Sequence, residues 1–358
     1  MKTLIQFELK KIFSRRLSQA AFVLVLLLSG LFTFSTYHNK YACDGNGREG
    51  TGRMAVEIDK AIAKKYEGEL TDAKVKEMLS DLIPKGDFQG LNVKYVYQNA
   101  MQSAVAARFL DADGNWNGLC VSDVFGGEKI MIGYNDGWLS TSQDMVQIIV
   151  VLVLAAIVLT TPVFSGEYSG VDQIILTSRY GRSKCAAAKV AATILTVFLM
   201  TAVILMIHLI WAFFLYGKEG LSCSILFAQL TFSERFIPFN ITCGTLLGYQ
   251  AFLAFTGVMG ATGFTLLFSA ICRNQMTTVV VSVFFFVLPM FLPVSEASSL
   301  FKLLVLLPVY HAQFVSLMGA GQIQGQLLYA VWAFPVAALL FGIGSIGGRR
   351  IFARHQVV

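Results

Sequence analysis

Ser165–Lys189 reads SGEYSGVDQIILTSRYGRSKCAAAK and lies between two runs apolar enough to cross a bilayer. It carries Glu167, Asp172, Arg179, Arg182, Lys184 and Lys189 around an apolar core, Ile174-Ile175-Leu176. A charged, partly amphipathic bridge of this size, set between two spans, reads as a cytosolic element of a membrane protein. Composition points the same way. Of 358 residues, 55% are hydrophobic and only 14% charged, where a soluble domain carries about a quarter charged residues. The basic residues fall in short clusters flanking apolar runs and form no long stripe, which argues against a nucleic-acid partner.

A span needs about 20 apolar residues. Working outward from the bridge, that test places spans at 17–37, 145–164, 190–216, 242–271, 277–292 and 326–346. The fifth is short. The expected fold is an all-α polytopic membrane protein with six transmembrane helices. The apolar run Leu300–Leu307, bracketed by Pro293 and Pro308, is too short to cross and reads as re-entrant or interfacial within residues 293–325. The first run, preceded by Lys10, Lys11, Arg15 and Arg16, exceeds a signal-peptide core and lacks an A-x-A site, so it reads as an uncleaved span.

Charge sets the orientation. Lys2, Lys10, Lys11, Arg15 and Arg16 precede span one; Arg179, Arg182, Lys184 and Lys189 lie in the 165–189 loop; Arg273 lies between spans four and five. Arg349, Arg350 and Arg354 fall in the tail, 347–358, which makes thirteen basic residues on one side against Lys218, Arg235 and Lys302 on the other. Both termini are therefore expected in the cytoplasm.

Residues 38–143 form a different kind of sequence, long enough for a small, mainly helical (α or α+β) external domain. LTDAKVKEMLSDL predicts a helix with Thr71 as N-cap and Val75, Met78, Leu79 and Leu82 on one face; YQNAMQSAVAARFL is a second candidate. Cys43 and Cys120 lie in this domain, and Cys223 and Cys243 belong to the next external loop, around 217–241. Even numbers allow one disulfide in each segment. Cys185 and Cys272 fall on the cytosolic side, and no C-x-x-C pair supports zinc or redox chemistry. DADGNWN alternates Asp111, Asp113, Asn115 and Asn117 like a calcium loop, but Trp116 and Ser122 stand where Gly and Glu are needed, which favours an Asp-Gly turn.

Much chemistry is missing from the sequence. It has no G-x-x-x-x-G-K-[ST], no H-E-x-x-H and no G-x-S-x-G. His208, inside ILMIHLIWAFF, is the best candidate for an intramembrane catalytic group, although a helix–helix hydrogen bond is the favoured reading. Spans with these boundaries hold no Asp or Glu near their centres, which argues against an ion-driven carrier. Gly257, Gly260 and Gly263 recur at helical spacing in span four and suit either packing within the chain or a dimer face.

Within the bridge, Val171, Ile174 and Ile175 recur at i, i+3 and i+4, and Ser178 continues the face. Such a helix is too short to stand alone in water and needs a groove. Arg179 and Arg182 follow at its C-terminal end, where cations suit the dipole.

With Glu167, Gly170, Ile174–Leu176, Arg182 and Lys189 in that order, the layout resembles a bacterial type-2 ATP-binding cassette exporter permease. The N-terminal segment, 1–16, resembles that family's interfacial elbow helix: Ile5, Leu9, Ile12 and Phe13 share a face, Lys10 and Lys11 point away, and Phe7 breaks the pattern. The resemblance implies a non-enzymatic transport subunit of the bacterial plasma membrane that pairs with a second permease subunit, alike or different. A separate cytosolic ATPase subunit would hold the ATP and Mg, and this chain would bind no cofactor. Val171–Ser178 would be the coupling helix. Glu167 would steady that joint, and Arg273 would add a second contact. Peptides, lipids or drugs would be the cargo; the large external domain suits peptide export or antimicrobial peptide resistance. The rival reading is a membrane-anchored sensor or scaffold whose external domain binds a ligand.

Overall fold

The apolar runs become helices in the computed structural model, which describes residues 1–84, 90–93, 96, 98–168, 171–178, 180–228, 239–295, 298–312 and 329–355. α1 (Lys2–Ser14) stops where Arg15 takes an extended conformation, so it is separate from α2 (Arg16–Asn39). Next come β1 (Tyr41–Cys43), β2 (Glu49–Thr51), α3 (Arg53–Tyr66), β3 (Gly68–Glu69), α4 (Asp72–Leu82), α5 (Ala100–Phe109), α6 (Val121–Phe125) and β4 (Met131–Ile132). α7 (Asp136–Thr160) passes through a 3-10 turn to α8 (Val171–Thr177), and a π-turn over Gly181–Cys185 enters α9 (Ala186–Tyr216). α10 (Ile225–Ala228), α11 (Cys243–Ile271), α12 (Gln275–Phe291), α13 (Ser299–Leu304), α14 (Pro308–Ala312) and α15 (Tyr329–Arg354) complete the described elements.

Among the described residues, five segments are long and apolar enough to cross a membrane: Arg16–Asn39, Asp136–Val163, Gly181–Tyr216, Cys243–Ile271 and Val331–Arg354. The chain is thus a mainly helical protein of multi-pass membrane type. α12, at the expected fifth span, has 17 residues. At 1.5 Å per residue that is about 26 Å, a little under the roughly 30 Å of a hydrocarbon core.

Several expected boundaries move, because polar residues join the helices. α7 starts at Asp136, not Met145, with the acid in its first turn where the helix dipole favours it. Asp144 therefore lies inside a spanning helix, at its ninth residue, although not near its centre. Lys189 belongs to α9 rather than to the loop, and α15 carries Arg349, Arg350 and Arg354 rather than leaving them in a tail. Of the expected re-entrant segment, 293–325, residues 313–325 lie outside the described residues; α13 and α14 are two short helices.

The chain divides into two units. The second comprises Leu31–Asp144 and His208–Tyr249. Here Thr71 caps α4 by accepting from the Lys74 N–H, and Asn99 caps α5 by accepting from the Gln102 N–H; Val75 and Met78 are buried. Two small antiparallel pairs, β1–β2 and β3–β4, join them. The residues after α9 build into the same body rather than forming a separate loop. Ser224 bridges Thr242, the Ser224 N–H donates to Met131 O, and the Arg108 guanidinium donates to Leu226 O. All six cysteines are free thiols, so neither expected disulfide forms. The Cys43 thiol instead accepts from the Gly45 N–H in its own hairpin, and Cys120 sits at the N-cap of α6. Cys243 donates its N–H to Cys223 O, with both thiols buried. Asp111 accepts from the Asp113 and Asn115 N–H groups, which makes DADGNWN an Asx-type turn. His208 is fully buried and bridges helices: Nδ1 is 3.2 Å from Thr33 Oγ1 and Nε2 is 3.2 Å from Thr141 O.

The first unit comprises Met1–Gly30, Met145–Ile207 and Gln250–Val358. Its glycine face packs within the chain. A Cβ on Gly257 would come within 2.9 Å of His311 Cβ, one on Gly260 within 3.1 Å of Pro308 Cγ, and one on Gly263 within 2.4 Å of Phe341 Cα. All three glycines are therefore approached by α14 and α15 of the same chain. Gly263→Ala is expected to cost about 1–3 kcal/mol through overpacking, because backbone must move rather than a side chain. Gly342→Ala, with nothing within 4 Å, is the control. Thermal unfolding of the two variants compares them, and equal midpoints would show that α15 has room to shift.

Candidate functional site

The bridge between α7 and α9 is held from below by a buried ion cluster. α1 presents Glu8 and Ile12 on its buried side, with Phe13 exposed, so its inner face is rotated from the expected Ile5-Leu9-Ile12-Phe13 stripe. The rotation has an electrostatic cause. Glu8 lies 3.1 Å from Lys189 Nζ, and Lys11, expected to point away, reaches Glu167 at 2.5 Å. Lys189 Nζ also donates to Glu167 Oε1 at 2.8 Å, and both side chains are only 2% exposed. Two acids and two bases thus form a neutral quartet drawn from α1, the turn after α7 and α9.

Glu167 is positioned by backbone as well as by charge. Ser269 Oγ on α11 accepts from the Phe164 and Ser165 N–H groups at 3.0 and 3.1 Å and donates to Thr161 O. Tyr168 donates its hydroxyl to Ala270 O at 2.7 Å. Gly166 has no room for a side chain, since a Cβ would lie 2.6 Å from Pro162 O and 3.1 Å from Gln275 Nε2. The turn is therefore pinned to the end of α11 and lies next to the start of α12.

On this base stands α8, seven residues long. Its side chains divide in a way the sequence pattern did not give. Leu176 is 3% exposed and packs with Phe164, Ala186, Val190, Leu266 and Phe352; Ile175 packs half-buried against the same cluster. Ile174 points away and is 75% exposed. Ile174 and Ile175, expected on one face with Val171, thus part, because Leu176 captures the core side. Arg182 ties off the helix end: its Nε donates to Leu176 O at 3.1 Å and its Nη1 reaches Ala353 O on α15 at 3.4 Å. Gly181 makes the return to α9 possible, as a Cβ there would fall 1.5 Å from Ile175 O.

Of the residues singled out from sequence, Glu167, Ile174, Ile175 and Arg182 come together in this region. Val171 opens α8, and Gly170 and Arg179 lie outside the described residues. Arg273 is exposed on the α11–α12 turn, next to Asn274, which caps α12. The glycine trio and the cysteines lie elsewhere. No protein-family model matches this chain, nor does any curated protein or solved structure. Sequence reasoning missed Glu8, Lys11, Ser269, Tyr168 and Gly181. Glu8 had a readable signal, a charge at i+3 from Ile5 and i−4 from Ile12 on an otherwise apolar face; Lys11, Ser269 and Tyr168 act through partners far off in the chain, and Gly181 through a close pass of its own backbone at Ile175.

Proposed function

We propose that this chain is the membrane-spanning subunit of an ATP-driven bacterial exporter, and that α8 is the element a separate cytosolic ATPase grips. The observation that carries this reading is the contrast along α8. Leu176 is sunk in the core while Ile174 stands 75% exposed, on a helix too short to hold its shape without support. The ion quartet and Arg182 supply that support from the chain's own side. An exposed isoleucine on a braced seven-residue helix suits insertion into an apolar groove of a partner. A push on α8 passes to α9 through Gly181–Cys185, to α15 through Arg182 and to α1 through Glu167. α1 acts as the interfacial elbow, and α12 is the sixth crossing, its shortness met by local bilayer thinning. Both termini and α8 face the cytoplasm. The permease pairs with a second permease subunit, and ATP and Mg stay on the ATPase. The cargo is hydrophobic or amphipathic, a peptide, lipid or drug.

Ile174→Asp is the discriminating substitution, because Ile175 also touches the core and its loss would confuse binding with stability. The tagged wild type is expected to bring down a P-loop ATPase, and Ile174→Asp to lose at least tenfold of it with membrane insertion unchanged. Recovery of a kinase, or of no ATPase, with the wild type would favour the sensor reading instead.

A further inference from the structure

Asp144 stands in the second unit, at the ninth position of α7, and is 2% exposed. Its Oδ1 accepts from Thr36 Oγ1 on α2 at 2.5 Å. Its Oδ2 is buried without a hydrogen-bond partner. Among the described residues no ion pair includes it.

The titratable and charged groups around it do not neutralise it. On α2 and just beyond stand Tyr37 and Lys40, and Lys40 is ion-paired with Asp59 and with Asp136. On α9 stand His208, whose two ring nitrogens already face Thr33 and Thr141, and Tyr216, whose hydroxyl is also buried without a partner. Asp136, on the same helix, is taken up by Lys40. A buried carboxylate with no cation neutralises itself rather than staying charged.

The residue that donates to Asp144 lines a cleft. A cleft of about 450 Å³ in the same unit is lined by Thr36, Lys40, Asp59, Ser103, Asp136 and Ser140. Thr36 thus both lines the cleft and donates to Asp144, and Ser140 stands one helical turn above the carboxyl. A metal ion fits poorly here: among the described residues no group of three His, Cys, Asp or Glu could hold one, and a hard divalent cation takes six or more oxygens. A proton needs one oxygen, and Oδ2 is that oxygen.

We propose that Asp144 is a proton-binding site of the membrane region, filled through this cleft. The carboxylate takes a proton from hydronium, leaving water, and holds it on Oδ2 while Oδ1 keeps the Thr36 bond. This site is independent of the ATPase contact at α8 and stands whether or not that contact exists.

The test is infrared spectroscopy of the full chain reconstituted in lipid vesicles at mildly acidic pH, reading the C=O stretch of a protonated carboxyl. The wild type is expected to show this band, Asp144→Asn to lose it and Thr36→Val to shift it by removing the Oδ1 donor. In parallel, wild-type stability is expected to fall relative to Asp144→Asn as the buffer is brought from acid towards neutrality, because the proton is then stripped from a buried group. Absence of the band in the wild type, or its persistence in Asp144→Asn, overturns the proposal. Should Asp144→Asn fail to fold, an unshifted band in Thr36→Val overturns it alone. Unfolding that depends on sodium rather than on pH would assign the site to a metal ion and overturn it as well.

Discussion

Replacing Glu167 with alanine is expected to destabilise the solubilised protein by about 3 kcal/mol, the lower end of what breaking a buried ion pair costs. The cause is Lys189, only 2% exposed, which would be left with Glu8 alone at 3.1 Å. Lys11 would lose its carboxylate partner at the same time. Removing both buried charges together, in Glu167→Leu/Lys189→Met, should recover most of the loss, since apolar replacement of a whole pair is often close to neutral. Acid should imitate the single substitution. Burial alone would raise the Glu167 carboxyl, but the Lys189 charge and the bonds from Lys11 and Lys189 outweigh it and hold it below its ordinary 4.5. A carboxyl held low contributes stability that is present above its ordinary range and lost as pH falls through the held value. Thermal unfolding against pH checks both statements. An unchanged midpoint for Glu167→Ala would show that the quartet adds nothing to stability.

The second large effect is expected at His311, also on acidification but in an earlier window. His311 is fully buried on α14, with Nδ1 2.9 Å from Thr256 Oγ1 on α11 and Nε2 3.3 Å from Leu306 O. Burial pushes its pKa from 6.5 down to about 4. The unfolded chain therefore takes up the proton first, and the contribution is complete above 6.5 and drains away as pH falls towards 4. Across that interval the loss amounts to about 3 kcal/mol. His311→Gln cannot titrate and should flatten the stability curve between 6.5 and 4.5, before Glu167 begins to contribute. A slope that survives the substitution would place the titrating group elsewhere.

What could be read in advance was whatever one stretch of chain decides for itself. Apolar runs long enough to cross a bilayer became helices, and the Thr71 cap with Val75 and Met78 on one face appeared as expected. Ends were misplaced where polar residues are helical, as at Asp136–Asp144, because a hydropathy reading stops at the first polar cluster. The inner face of α8 was misread for a different reason. Seven residues give too little periodicity to choose between Ile174 and Leu176, and the choice is made by Phe164 in the preceding turn and by Leu266 and Phe352 from two distant helices. The glycines of α11 show the same limit: spacing announces a close approach but not which helix approaches. The quartet was legible only as loose charges, since nothing local pairs Glu8 with Lys189.

The same quartet sets an order of assembly during synthesis. Lys11 and Glu167 are 156 residues apart, so α1 leaves the ribosome well before its counterpart exists. At about 5–20 residues per second, the gap is on the order of 8–30 s. Throughout that time Glu8 and Lys11 have only water, lipid headgroups or a chaperone as neighbours. α1 is thus locked only after α9 has been delivered. Chains that stall before Lys189 should therefore carry a loose, protease-sensitive α1, and longer chains a protected one.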